Sequence, residues 1–441
     1  MPASPADSAI YRRLLGDDET AQLFSDSAEV RAMLLVEGAL ARVQGDLGLI
    51  PETAAAFIDR AAREVVIDPS ALAAATAQNG VPVPGLLAAF RKAAEAPEPM
   101  QYLHWGATSQ DIMDTALALR LRRVLDLWAA RLDTLLGRLA GLASTHADLP
   151  MAARTYGQVA TPTTFGAVVA GWGWPLLGWR DDLPGLRAAE LQVSLSGAAG
   201  TGSALGPEAL QVRAGLAKAL GLADPGHSWH ADRSGMSRLA GWAAGLAGSL
   251  GKMGEDLFLM SQSGLAEVSP GGGGGSSTMP QKDNPVGPST LVALARTVQG
   301  LAATLQGAAL HRQQRDGAAW FTEWLTVPQL CILTARALSL AGDLARDLHP
   351  DAAAMARPLS EGSGLIHAET LSFALARQMP RPDAQARLKA LCAEAVAGGA
   401  SLPDLMARDF PGTDWLAVLR QAGTGQSPAE ARAFAARVTT P

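Results

Sequence analysis

Residues 271–288 read GGGGGSSTMPQKDNPVGP. Ser276, Ser277, Lys282 and Asn284 follow a run of five glycines and stand among three prolines. A phosphate-binding loop would need Gly-Lys-Ser/Thr at fixed spacing, which this stretch lacks. A plain linker has no use for a lysine, an asparagine and fixed prolines. The composition suits a lid loop, with glycines as hinges and Ser276, Ser277, Met279, Lys282 and Asn284 as its cargo.

Four other stretches carry groups able to do chemistry. HWGATSQDIMDTA, residues 104–116, has Thr108 three residues before Asp111, a capping-box spacing that opens a helix. That reads either as a well-capped helix or as an anion site built from Thr108, Ser109 and the first helical N–H groups. His104 and Trp105 exceed what a cap requires. RTYGQVATPTTFG, residues 154–166, places Thr155, Tyr156 and Gln158 before an apolar segment. It suits a polar helix entrance or a ligand-lining wall equally. SGAAGTGSALG, residues 196–206, reads as a close-packed turn or a backbone wall. In HRQQRDGAAWFTEW, residues 311–324, Arg312 and Arg315 could clamp a carboxylate, while Trp320, Glu323 and Trp324 have a core-like helical spacing.

Elimination narrows the chemistry. His227 and His230 form a pair without the companions a metal site needs. No nucleophile elbow and no dinucleotide fingerprint occurs. Serine, lysine, asparagine, histidine and arginine at helix ends remain. Such a set suits proton transfer at a carbon next to a carboxylate, where an enolate-like anion needs cations and N–H donors. A serine acts as acid or base there only if its surroundings lower its pKa.

The elements that must hold these groups are helices. Apolar positions Val30, Met33, Leu34, Val36, Leu40 and Val43 form one stripe. Long helices are expected over 111–145 and 237–263, from about 289 to 311, and from about 327 to 348. Alternating β-branched runs are nearly absent. The expectation is an all-α fold, with a small N-terminal domain over 1–105, a long central bundle over 106–355 and a C-terminal domain over 356–441. Breaks at Pro97 and Pro99, and near ARPLSEGSG, set these limits. The net charge of −6 argues against a nucleic-acid partner. Threonines, Gln158, Pro162 and Pro175 argue against a membrane span in the uncharged stretch between Arg154 and Arg180. Two cysteines, far apart, and no hydrophobic leader point to the reducing cytoplasm.

HWGATSQDIMDTA, RTYGQVATPTTFG and GGSSTMPQKDNPVGPS resemble the three signature regions of the fumarase/aspartase superfamily. LFSDSAEVRAMLLVEGALARVQGDLGLIP resembles its N-terminal helix, so the likeness covers most of the chain. Within the superfamily, HWGATSQD, NGVPVPGL at 79–86 and GAAWFTEW at 317–324 are most similar to the cycloisomerase branch, which closes a lactone on 3-carboxy-cis,cis-muconate. The resemblance implies a homotetramer built around a shared bundle, each active site drawing on three subunits, with no metal and no organic cofactor. It implies Ser276 as the catalytic serine, with Lys282 and His104 beside it. Asn284 is expected to bind substrate, with Thr108 and Ser109 as the carboxylate-binding pair. Thr155, Tyr156, Gln158, Ser277 and Met279 would line the pocket, and Arg315 would match an arginine of a fourth segment.

Two positions depart from the superfamily's lyases. Those lyases carry a leaving-group histidine where this chain has Tyr156. A cycloisomerase needs no such acid, because the attacking carboxylate belongs to the substrate itself. Asp283 puts an acid inside a loop expected to attract anions. The expected activity is therefore lactone formation from a di- or tricarboxylate. The alternatives are a fumarate-releasing lyase of adenylosuccinate or argininosuccinate type, and a non-catalytic helical assembly that kept the scaffold.

Overall fold

The computed structural model describes residues 4–271, 273–275 and 278–440. The chain is all-α apart from short β ladders. It divides into two compact units, each assembled from separate segments. One comprises 1–131, 179–248 and 293–338; the other comprises 132–178, 249–292 and 339–441.

In the first unit, α1 (Asp26–Asp46) packs on α2 (Glu52–Glu64). The Ser25 hydroxyl caps α1 by accepting from the Ala28 N–H at 3.2 Å. A glycine sets the approach of the two axes: a Cβ on Gly45 would lie 2.3 Å from the Ala55 Cβ. Val36, Ile58, Phe90, Ile112 and Leu216 are buried in this unit's core. The expected apolar stripe of α1 is the face that is buried.

Five long helices follow: α3 (Ser109–Thr145), α4 (Phe165–Glu190), α5 (Ser234–Met260), α6 (Val286–Gly307) and α7 (Gly317–Arg346). Each supplies a stretch to both units. α7 begins ten residues before its expected start, because Pro328 lies inside it rather than ending it. Proline removes one backbone donor and does not by itself stop a helix whose flanks are held. α7 is also long and apolar enough to cross a membrane, yet two-thirds of that window is buried inside the protein. Among the 27 positions of α5, Gly245 lets the Trp179 indole lie where a side chain would otherwise stand. The Trp128 and Trp242 rings stack at 5.2 Å in the same unit.

The uncharged stretch beginning at Arg154 is not helical throughout. Its first part is the hairpin β1 (Pro150–Thr155) and β2 (Gln158–Thr164), and the helix starts only at Phe165. The hairpin lies in the second unit, where Trp172 donates to Asp256 Oδ2 at 2.7 Å. Leu371, Leu388, Met406 and Trp415 form a further core near the C-terminus.

A Cβ on Gly245 would sit 2.2 Å from Trp179 Cζ2, an overlap that must displace the ring. Gly245→Val is expected to cost about 1–3 kcal/mol by denaturant unfolding. An unchanged unfolding midpoint would show that this close approach contributes nothing.

Candidate active site

The start of α3 is fixed by one carboxylate. Asp111 is fully buried. Its Oδ2 accepts from the backbone N–H of Thr108 at 3.0 Å and of Gly197 at 2.9 Å. Its Oδ1 accepts from the Ser196 N–H at 2.8 Å and the Ser194 hydroxyl at 3.3 Å, and meets His230 Nε2 at 2.7 Å. The capping-box contact is thus real, but it is one of five. The 196–206 segment proves to be a turn docked on the helix start. Gly197, at φ 72°, would bring a Cβ to 3.4 Å from the Gly106 carbonyl oxygen.

The chain enters this helix through a tight bend. His104 has φ 67° and Gly106 has φ 74°, both left-handed. A Cβ on Gly106 would lie 2.5 Å from Leu205 Cδ2, so only glycine fits. A non-glycine residue such as His104 in that region costs free energy and is found where surroundings over-determine it. Here the determinant is Glu37, buried in α1, whose Oε1 lies 2.7 Å from His104 Nδ1. Burial opposes a charge on His104, but the Glu37 carboxylate and hydrogen bond outweigh it, with Asp111 adding to them. The imidazole pKa is therefore raised.

Thr108 and Ser109 stand half-buried at the first turn, their hydroxyls bonded to no other described residue. The leading N–H groups of a helix lack intrahelical acceptors and carry the positive end of its dipole. Arg315 reaches the same turn. Its Nε donates to Gln110 Oε1 at 2.8 Å and its Nη2 to the Ala198 carbonyl at 3.2 Å. One unit therefore gathers His104, Thr108, Ser109 and Arg315 around one helix end. Hydroxyls, free N–H groups and an exposed guanidinium together can receive a carboxylate.

A layer of charge lies behind it. Arg233 is fully buried and grips Asp114 at 2.8 Å through Nη1 and Glu323 at 2.7 Å through Nε. Trp320 donates to Asp114 at 3.2 Å. Gln110 joins the two layers by donating to Asp114 at 3.1 Å and to the His230 carbonyl at 3.0 Å. Trp320 is thus part of the core, as its helical spacing suggests, and also donates to Asp114, while Glu323 is a buried partner of Arg233. Sequence reasoning missed Gln110 and Arg233, and weighed His230 only as half of a metal pair with His227, not as the partner of Asp111. His230 and Arg233, four residues and one residue before the start of α5, gave no periodic signal, since their partners lie more than 80 positions away.

The other unit holds the remaining candidates. Tyr156 and Gly157 form the two-residue tip of the hairpin, at φ 52° and 73°, between the paired Thr155 and Gln158. Positive φ at both central residues marks a type I′ turn, which favours Asn-Gly over a tyrosine. Tyr156 is fully exposed there, and Thr155 and Gln158 are exposed beside it. Arg154 anchors the hairpin to the buried Glu267 through two hydrogen bonds of 2.9 and 2.8 Å.

The glycine-rich loop is pinned by a short ladder that pairs Gly274 with Asn284 and Gly275 with Asp283. Asp283 turns its carboxylate onto Gly273, where a Cβ would meet Oδ1 at 1.7 Å. Lys282 is exposed, its N–H donating to the Met279 carbonyl at 3.0 Å. Asn284 is half-buried and Met279 is exposed. Ser276 and Ser277 lie outside the described residues. A cation and an amide donor on one loop can hold an enolate-like anion.

Comparison with known proteins bears on this arrangement. Residues 14–300 match a lyase family. A 3-carboxy-cis,cis-muconate cycloisomerase of Pseudomonas aeruginosa is 43% identical over 85% of this chain and 83% of its own length. One of Pseudomonas putida is 41% identical over 85% of this chain and 90% of its own. The crystal structure of 3-carboxy-cis,cis-muconate lactonizing enzyme from Pseudomonas putida superposes with a TM-score of 0.90 at 36% identity, covering 98% of this chain and all of that one.

The raised pKa of His104 gives a signed pH dependence. Its contribution to stability is full below about pH 6.5, the unfolded value, and is lost as pH rises through the higher folded value. His104→Gln should flatten the unfolding free energy across that alkaline limb. A parallel loss in protein and variant would remove the Glu37–His104 pair from the account. Asp111→Ala strands five donors, four of them buried, and should cost about 3–5 kcal/mol. A cost under about 1 kcal/mol in chemical unfolding would contradict its central place.

Proposed function

The chain belongs to the lyase family matched over residues 14–300, and from that footing we propose that it is a 3-carboxy-cis,cis-muconate cycloisomerase that forms 4-carboxymuconolactone in protocatechuate breakdown. The observation that carries this reading is the likeness to the cycloisomerases along nearly the whole chain, with Tyr156 at the hairpin tip. A lyase must protonate or release a leaving group there. In lactone closure the nucleophile and the acceptor are parts of one molecule, and nothing leaves.

In the reaction, an oxygen of one substrate carboxylate bonds to a carbon of the conjugated double bond. The displaced π electrons pass toward the neighbouring carboxylate, giving an aci-carboxylate. Lys282 and Asn284 would stabilise that charge, together with the α3 end bearing Thr108 and Ser109. Ser276 would deliver the proton to carbon and regain one from water, so the reaction takes up one proton per carboxylate consumed and the lactone acid is an isomer of the substrate acid. His104 would orient the substrate, held by Glu37. Arg315 would take a further carboxylate, and Thr155, Tyr156, Gln158, Ser277 and Met279 would line the pocket.

The candidate residues fall in two groups, His104, Thr108, Ser109 and Arg315 in one unit and the hairpin and loop residues in the other. The resemblance to the superfamily supports a homotetramer whose sites draw on different copies. The free thiols Cys331 and Cys392 support a cytoplasmic location.

Ser276→Ala should keep the assembly size by sedimentation and lose at least ~100-fold in turnover of 3-carboxy-cis,cis-muconate, the scale of one acid/base group. Unchanged turnover would remove Ser276 from the mechanism.

A further inference from the structure

The first unit carries a second basic cleft, of about 630 Å3. It is bounded by α1, the end of α2, the 119–123 stretch of α3 and residues 219–220. Arg31, Arg42, Arg63, Arg120, Arg122 and Arg123 line it. Three of them are answered by carboxylates: Arg63 by Asp59 at 2.9 Å, Arg42 by Asp46 at 3.1 Å and Arg120 by Glu29 at 3.4 Å. The other three make no ion pair within 4 Å among the described residues, and Asp59, which also lines the cleft, is taken by Arg63. Arg31 donates to the Ala62 carbonyl at 2.8 Å, and Arg122 to the Leu220 and Gly221 carbonyls at 2.9 and 3.2 Å. Arg123 is exposed on α3 beside Arg122.

Three guanidiniums without an ion pair line one cleft in a chain of net charge −6. The carbonyls bonded to Arg31 and Arg122 stand at helix C-termini and offset only part of their charge. The floor between them is apolar, formed by Leu35, Leu119 and Leu220. The volume falls in the range of small-molecule sites. Guanidinium forks match carboxylates in pairs, and the apolar floor needs a carbon body above it.

We propose that this cleft binds a polyvalent organic anion, a di- or tricarboxylate on an apolar body, at a site separate from the start of α3. The separation follows from the helix itself. Arg120 lies eleven residues beyond Ser109 on α3, about 16 Å along its axis. One small ligand cannot span both places. A ligand in the cleft would nonetheless press on the same helix whose first turn carries Thr108 and Ser109.

The test is calorimetric titration of benzene tricarboxylate into the full-length protein at low salt, with Lys282→Ala used to disable the glycine-rich loop. The proposal expects a binding event that survives in Lys282→Ala and weakens ~10-fold or more in Arg122→Gln/Arg123→Gln, the scale of a lost charged hydrogen bond. Circular dichroism of the double variant checks its fold. Arg123→Gln alone, which breaks no hydrogen bond among the described residues, should weaken binding several-fold if the double variant misfolds. Affinity unchanged in both arginine variants overturns the proposal, as does binding that disappears in Lys282→Ala. Equal binding of inorganic phosphate overturns the apolar-body requirement and reduces the cleft to a nonspecific basic patch.

Discussion

A carboxylate removed from water must be surrounded by donors, and Asp111 has five of them. Meeting that demand fixes three separate pieces of backbone: the residue before α3, the turn at 194–197 and the segment carrying His230. One turn along the helix, Asp114 repeats the arrangement with Arg233, which brings in Glu323 from α7. Gln110 lies between the two carboxylates and accepts from Arg315. The guanidinium and the helix end that would share a substrate are therefore positioned by groups that never touch it. Rigid placement of this kind is what lets an anion site act without reorganising when charge develops.

The second unit handles its candidates differently. The hairpin holds Tyr156 outward in a backbone conformation that tyrosine rarely adopts, with Arg154 and Glu267 bracing the base. The loop ladder sets Lys282 and Asn284 on either side of Asp283, whose carboxylate is turned against Gly273. That answers the concern raised by an acid in an anion-binding loop. The Asp283 carboxylate lies against Gly273, in the space a side chain there would need.

Much of this was legible in the sequence. The helices announced themselves through apolar period, and the N-terminal helix buries the stripe its spacing marks. The cap at Thr108 and Asp111 was visible because a helix start is a local event, three residues wide. The hairpin was not visible, since RTYGQVATPTTFG lacks the Asn-Gly turn and the alternation that mark one. Nor was the early start of α7, where Pro328 suggested a boundary that packing overrides. Arg233 and the role of His230 escaped for a different reason: their partners are distant in sequence, so no window contains the pair. Gln110 stands four residues before Asp114, but its links to His230 and Arg315 are equally long-range. The likeness of the three signature stretches supplied the chemistry that spacing alone left open.

Every role given to these residues depends on lactone closure by addition of a carboxylate across a conjugated diene. The most direct measurement follows ultraviolet absorbance of 3-carboxy-cis,cis-muconate with the purified protein. Addition interrupts the conjugation, so absorbance should fall at an enzyme-dependent rate, with the lactone as product and no fumarate formed. A flat trace, with fumarate released instead from adenylosuccinate or argininosuccinate, would contradict the cycloisomerase assignment and the meaning given to Tyr156.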